Sequence, residues 1–444
     1  MSSTQRFLSV AIGEGNTDNI KKIFNSSILL HFTMGIIIVV ILEIAGILLL
    51  EGNILNIPKG RESIAMIVFH IMVATTFITI ISAPYNATIN SHEDMWYFAI
   101  IEIIACILKL CIIWGFTHIK VDSLVLYTIW ILIITIFSYV SKLIWCRIKY
   151  PETSYRPCEF KQTKQTMRSM MGFIGWNTMG SFAVILRNQG VAIILNIFFT
   201  TTINAVYGIA NQVSSQLSYF SQMLTTSMTP QIMKSKGENN TSRLIFLSCL
   251  TSKFSYFLSA IFAIPLIVNI DFILRIWLGN VPEFADYYCV TSILIFLIMQ
   301  LYPGLNRAIQ ADGRIKQYNV WLTIIMLTPI FVSAILFSLG ISHKAIMILM
   351  IIAQIGIMFM TLKICKDLLD IDIRKYLRFI TQATSIFVVI TYICIMVKDV
   401  LVRISDWYSL LITIVISSLS LCITFYFIIL SGQERCQLKK IIKK

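Results

Sequence analysis

Arg187 stands in the middle of a long apolar run, FIGWNTMGSFAVILRNQGVAIILNIFFTT, with Asn188, Gln189 and Gly190 directly after it and Asn196 further on. The run is long enough to cross a bilayer, which takes about 20 residues. A cation held at mid-span costs at least ~2.5 kcal/mol on insertion scales, so this guanidinium must face protein, water or a ligand. Its chemistry suits an anion: it presents paired N–H donors and keeps its charge at any pH. A turn-like patch, Thr200 to Asn204, leads into a second run, INAVYGIANQVSSQLSYFSQMLTTSMTPQIM. That run carries Asn211, Gln212, Gln216 and Gln222 and ends at Lys234 and Lys236. Gln212 and Gln216 stand four apart and share a helix face. Amides so placed either bond a polar ligand or knit helices together.

Other ionisable residues sit inside apolar runs. Glu102 and Lys109 lie seven apart in one run, on one side of a helix but roughly 10 Å apart in rise, too far for a firm ion pair. Glu43 is a second embedded carboxylate, and His31 and His70 lie near or within spans. Embedded carboxylates are the groups a coupled proton or cation would need; histidines there serve helix packing. No P-loop, no H-E-x-x-H, no nucleophile elbow and no carboxylate pair at hydrolase spacing occurs. An enzyme is therefore not expected.

These residues need helices to hold them in a membrane, and composition supplies the setting. Of 444 residues, 57% are hydrophobic and only 13% charged, against roughly 25% charged in a soluble domain. Mean hydropathy is +0.80. The expected fold is an all-α integral membrane protein with about twelve spans. They lie near 27–50, 64–88, 96–118, 123–146, 171–199, 203–228, 248–270, 287–306, 318–339, 344–362, 379–397 and 408–430. Continuous apolar runs without alternation exclude a barrel.

The net charge of +14 reflects topology, not nucleic acid. Lys and Arg crowd alternate loops, which puts both termini in the cytoplasm. Arg307 and Arg314 flank the cytoplasmic end of the eighth span as such topology charges. One cytoplasmic loop, Ser91 to Met95, breaks the pattern with only Glu93 and Asp94. The ten cysteines are scattered without a C-x-x-C and read as small buried hydrophobes rather than disulfides or metal ligands. Residues 1–26 are polar and the first apolar run is full-length, so no secretory signal is expected.

Two segments repeat. Gly13-Glu14-x-Asn16-Thr17 matches Gly237-Glu238-x-Asn240-Thr241, each just ahead of a span on the same side. Repeated halves are common in transporters. The longest polar stretch, RIKYPETSYRPCEFKQTKQTMR, separates them. The expected division is 1–146 as an N-terminal lobe of four spans and 147–168 as a basic cytoplasmic linker. Residues 169–363 form a C-terminal lobe of six spans, and 364–444 two further spans with a basic tail.

SSTQRFLSVAIGEGN, QGVAIILNIFFTTTINAVYGIANQVSSQL, MTPQIMKSKGE and WLGNVPEFADYYC carry a family likeness. Along nearly its whole length the chain resembles the polysaccharide-export flippases of bacteria, the O-antigen and capsule-unit translocases. Their superfamily also holds multidrug and toxin extrusion antiporters and lipid II flippases. The resemblance implies two lobes around a central cavity. It follows the fourteen-span pattern from the third span onward, so two N-terminal spans are expected to be missing, as the repeat also suggests.

The implied function is flipping of undecaprenyl-pyrophosphate-linked oligosaccharide across the bacterial inner membrane by alternating access, for surface polysaccharide assembly. No cofactor is implied, with Na+ or H+ as the coupling ion. The implied partners are the lipid-linked oligosaccharide, membrane lipids and other polysaccharide-assembly proteins. On this reading Arg187 holds the pyrophosphate. Asn188, Gln189, Asn196, Asn211, Gln212 and Gln216 offer hydrogen bonds to sugar hydroxyls, Lys109 joins them in the cavity, and Glu102 and Glu43 couple ions. A cation-coupled multidrug exporter and a non-transporting remnant are the alternatives. A membrane polymerase is disfavoured, because it needs a large extracytoplasmic loop and all such loops here are short.

Overall fold

The structure is a computed structural model and describes residues 2–51, 61–115, 122–153, 160–401, 406–432 and 434–435. Among these residues there are helices and turns and no strand. In chain order the helices are α1 (Ser2–Glu14), α2 (Thr17–Glu51), α3 (Glu62–Ser91), α4 (Met95–Gly115), α5 (Ser123–Lys149), α6 (Phe160–Phe198), α7 (Thr201–Gly237) and α8 (Thr241–Val268). They continue as α9 (Ile270–Leu278), α10 (Ala285–Gln300), α11 (Pro303–Asp312), α12 (Ile315–Ser338), α13 (Ala345–Leu369), α14 (Ile373–Leu401) and α15 (Asp406–Thr424).

The expected spans fall one each on α2 to α8, on the pair α10–α11, and on α12 to α15. Among the described residues nine helices are long and apolar enough to cross a membrane, or ten with the bent pair counted as one span. α4 and α7 fall outside that count, α7 because Asn, Gln and Ser interrupt its apolar run. The eighth span differs from the expected straight helix: α10 ends at Gln300 and α11 leaves at 44°. Pro303 opens α11, where its missing N–H costs nothing. Helix α6 begins at Phe160, inside the stretch expected to be linker, of which residues 154–159 lie outside the described ones.

The chain divides into two compact units, Met1–Ile174 and Gly175–Lys444, with the boundary inside α6. In the first unit α2 packs on α3 through glycines: Gly35 receives Phe77 and Gly46 receives Phe69. Leu8, Phe24, Tyr85, Ile89, Cys146 and Met170 form the core. The outer row of α2 is apolar, with Ile37 58%, Ile41 59% and Leu48 63% exposed, which only a hydrocarbon solvent tolerates. The acidic turn between α3 and α4 is tied down. Asp94 binds Lys149 at 2.6 Å and accepts from the Tyr150 hydroxyl. His92 meets Glu152 at 2.7 Å and stacks on Tyr150. Burial works to raise Asp94, but the bonds from Lys149 and Tyr150 outweigh it and hold the carboxyl below its ordinary range. The bond from His92 does the same for Glu152.

The two repeated segments adopt one motif. Gly15 and Asn239 both take a left-handed φ, +69 and +55. The following Asn caps the next helix: Asn16 Oδ1 accepts from Asn19 N at 3.0 Å, and Asn240 Oδ1 from Arg243 N at 2.9 Å. The backbone closures also correspond, with Asn16 N to Ala11 O and Asn240 N to Ser235 O. A helix end with one left-handed residue and an Asn N-cap is thus used once in each unit.

In the second unit α6 and α7 form a hairpin turned at Thr200, whose hydroxyl accepts from Ile203 N. Val191, Leu195, Val206, Tyr207 and Ala210 bury the hairpin against Leu274, Tyr288, Cys289, Ile346 and Met347 of α9, α10 and α13.

Candidate functional site

The hairpin packing decides where the polar residues of α6 and α7 point. Val191 and Leu195 fix one face of α6 in the core. Arg187 and Asn188, one turn earlier, then stand at the edge of that core. Gly190 lets α12 approach: a Cβ there would lie 2.8 Å from Ile330 Cδ1.

A cavity of 780 Å³ opens at this point, within the second unit. Val184, Arg187, Asn188, Gln189 and Ala192 of α6 form one wall, and Ser292, Ile295, Phe296 and Met299 of α10 with Met350 of α13 close another. The long wall is α7. Asn204, Gly208, Asn211, Ser215, Ser218 and Gln222 follow one another at steps of four and three along it, which is one helix face. Eighteen steps of 1.5 Å rise from Asn204 to Gln222 give this polar stripe about 27 Å, nearly the full hydrocarbon thickness.

The stripe's hydroxyls spend their protons internally. Ser215 donates to Gln212 O at 2.9 Å and Ser218 to Ser215 O at 2.7 Å. Their oxygens remain as acceptors, while Asn and Gln supply donors and acceptors together. Tyr207, 2% exposed, also lines the cavity, and its hydroxyl has no hydrogen-bond partner of good geometry among the described residues.

Arg187 donates from Nε and Nη2 to Asn188 Oδ1, at 3.2 and 3.1 Å. Among the described residues no carboxylate pairs with it; the charge-sensitive groups around it are the Tyr207 and Tyr302 hydroxyls. The cavity lining itself contains one cation and, among the described residues, no Asp or Glu. Of five guanidinium N–H groups, those on Nη1 and the second on Nη2 are not used by Asn188. The arrangement can hold one anionic group beside a row of groups that exchange hydrogen bonds with hydroxyls.

Beside it, sharing Gln212, lies an apolar groove of 960 Å³. Leu217, Phe220, Met223, Phe262, Leu266 and Trp277 line it, with Phe220 stacked on Phe262 at 4.4 Å. Gln216 faces this groove, not the polar cavity.

The residues singled out in the sequence thus separate. Arg187, Asn188, Gln189, Asn211 and Gln212 line one cavity. Asn196 is exposed and absent from the lining. Lys109 is exposed on α4 in the first unit. Glu102 is bound not toward Lys109 but by Lys142 of α5, at 3.2 Å, with the lysine side chain 6% exposed. Glu43 meets His70 at 2.9 Å, between α2 and α3. Arg307, expected beside Arg314 as a topology charge, lies in α11 and donates to Gln310 at 2.8 Å, whereas Arg314 pairs with Asp312 at 2.7 Å. Asn204, Tyr207, Ser215, Ser218 and Ser292 are lining residues that the sequence reading did not single out; for α7 their spacing was the available signal.

Fold and site together define a multi-pass α-helical membrane protein with a cationic, amide-lined cavity in its second unit. Its fold is that of the multidrug and toxin extrusion (MATE) transporters of the MOP superfamily. A MATE structure in the bent conformation superposes with a TM-score of 0.71 at 11% identity, over 81% of this chain and 80% of that one. An outward-facing multidrug resistance MATE transporter gives 0.67 at 12% identity, over 81% of both chains. A MOP superfamily transporter from Pyrococcus furiosus, described as having reversed polarity of its binding pocket, gives 0.64 at 13% identity over 81% of both. No protein-family model and no curated protein matches the sequence.

Proposed function

We propose that this chain flips lipid-linked oligosaccharide units of the undecaprenyl-pyrophosphate type across the bacterial inner membrane for O-antigen or capsule assembly. The observation that carries this reading is Arg187: a cation with no carboxylate beside it among the described residues, in a polar cavity that shares Gln212 with an apolar groove. The pyrophosphate would take the free guanidinium N–H groups as paired, charge-assisted bonds. The sugars would lie along Asn204, Asn211, Ser215, Ser218 and Gln222, and the prenyl chain would stay in apolar surroundings. Alternating access moves the cavity from one face to the other.

A cation-coupled drug exporter shares the fold. Against it, a cationic drug or coupling ion needs a carboxylate, and the described cavity lining holds none. Glu43 and Glu102, the carboxylates such coupling would use, are in the first unit and are held by His70 and Lys142. The fold alone does not separate the two activities, and the polarity of the cavity favours an anion. Proteoliposomes given a labelled undecaprenyl-pyrophosphate oligosaccharide test the proposal. Flipping is expected from the wild type and not from Arg187→Ala. Drug efflux lost on Glu43→Gln or Glu102→Gln, without flipping, would replace it with the exporter.

A further inference from the structure

The start of α12 and the facing turns of α13 enclose a cavity of 550 Å³ that the transport reading does not use. Its wall changes character along its length. Arg314, Lys316 and Gln317 form one end; Val320 and Trp321 of α12 with Ile364 and Leu368 of α13 form the other. Positions 317, 320 and 321 share a face of α12, and 364 and 368 stand one turn apart on α13. Outward, α12 continues apolar, with Trp321 49% and Ile324 51% exposed.

The charged end has more cations than anions. Asp312 is shared by Arg314, at 2.7 Å, and Lys236, at 2.8 Å. Lys316 forms no ion pair among the described residues and sits over the Trp176 ring at 5.2 Å. Both α12 and α13 are span helices, so the apolar end of the cavity runs into the hydrocarbon and the basic end lies at the headgroup level. Tryptophan is the residue that prefers that boundary, and basic pockets between spans select anionic headgroups.

We propose that this cavity binds one anionic phospholipid. Arg314 and Lys316 hold its phosphate, and an acyl chain lies along Val320, Trp321, Ile364 and Leu368. The occupant is a lipid and not a free phosphate, because more than half the named wall is apolar and continues into the bilayer. With each cation near the membrane surface contributing its usual increment, the two together favour phosphatidylglycerol over phosphatidylcholine by roughly thirtyfold. The site does not depend on what the transporter carries.

The test uses the full chain in detergent, with native mass spectrometry and thermal unfolding in added phosphatidylglycerol, phosphatidylcholine or inorganic phosphate. The expected result is one retained phosphatidylglycerol and a Tm raised by that lipid alone. The double variant Arg314→Gln/Lys316→Gln should retain the two lipids equally. Val320→Trp fills the apolar end, leaves both cations in place, and should also lose the lipid; it decides the matter if the double variant fails to fold. Equal retention of both lipids by the wild type, or undiminished phosphatidylglycerol retention in the variants, overturns the site. A Tm shift reproduced by phosphate alone overturns the lipid.

Discussion

Removing Arg187 should abolish transport while leaving the fold intact, and the two effects follow from the same geometry. The guanidinium spends two N–H bonds on Asn188 Oδ1, and a phosphate can take a pair of those remaining. Hydrogen bonds to charged groups contribute about 1.5–3 kcal/mol each, and losing the pair costs about 3 kcal/mol or more, over a hundredfold in affinity. Arg187→Lys keeps the charge and loses the fork, so about a tenfold loss is expected. Stability should move the other way. No described carboxylate is left unpaired by Arg187→Gln, and a cation is removed from a low-dielectric wall, so Tm should hold or rise. Flipping of a labelled lipid-linked pyrophosphate oligosaccharide, measured beside thermal unfolding, reads both. Arg187→Ala that flips like the wild type refutes the anion site. So does a loss of flipping that merely tracks a loss of Tm.

Three further outcomes follow from the packing and the turns. Gly190→Ala should change stability by less than about 1 kcal/mol, because its Cβ meets only the Cδ1 end of Ile330, which can turn aside, while Ala gains up to about 1 kcal/mol of helix propensity over Gly; a loss of more than about 2 kcal/mol would mean that Ile330 cannot yield there. Asn240→Ala removes the cap of α8 and should cost about 1 kcal/mol, with Asn16→Ala costing a similar amount at α2; a null effect at one site alone would break the structural equivalence of the two turns. Asp94 and Glu152 titrate below their unfolded values, so their stabilisation is complete above about pH 5 and fades as pH falls through the folded values. Asp94→Asn should therefore unfold at lower temperature than the wild type at pH 7, by about 1–2 kcal/mol, and the two should converge toward pH 3; a gap independent of pH would refute the assignment.

The spans were legible because a helix in hydrocarbon must satisfy its backbone internally and show apolar side chains to lipid. The break after Gln300 was signalled by Tyr302-Pro303-Gly304 inside an apolar run, but apolarity alone read through it. The site was legible where neighbours on one helix sufficed, as for Arg187 with Asn188 and Asn211 with Gln212. It failed where the turn geometry was not followed. Asn196 lies nine residues past Arg187, two and a half turns, and so projects from the opposite side of α6. Gln216 keeps company with Gln212 but has rotated from the face of Asn211 into the apolar groove. Glu102 took its partner from α5, forty residues away in sequence, and no spacing within one run could name it. The α7 stripe shows what a sequence can still give. Many of the residues that keep α7 from being apolar enough to count as a span, from Asn204 to Gln222, form the cavity wall, while Gln216 faces the groove and Ser221 donates to Gln300 of α10. A hydropathy deficit concentrated on one face of a helix between apolar neighbours marks where a polar passenger would be held.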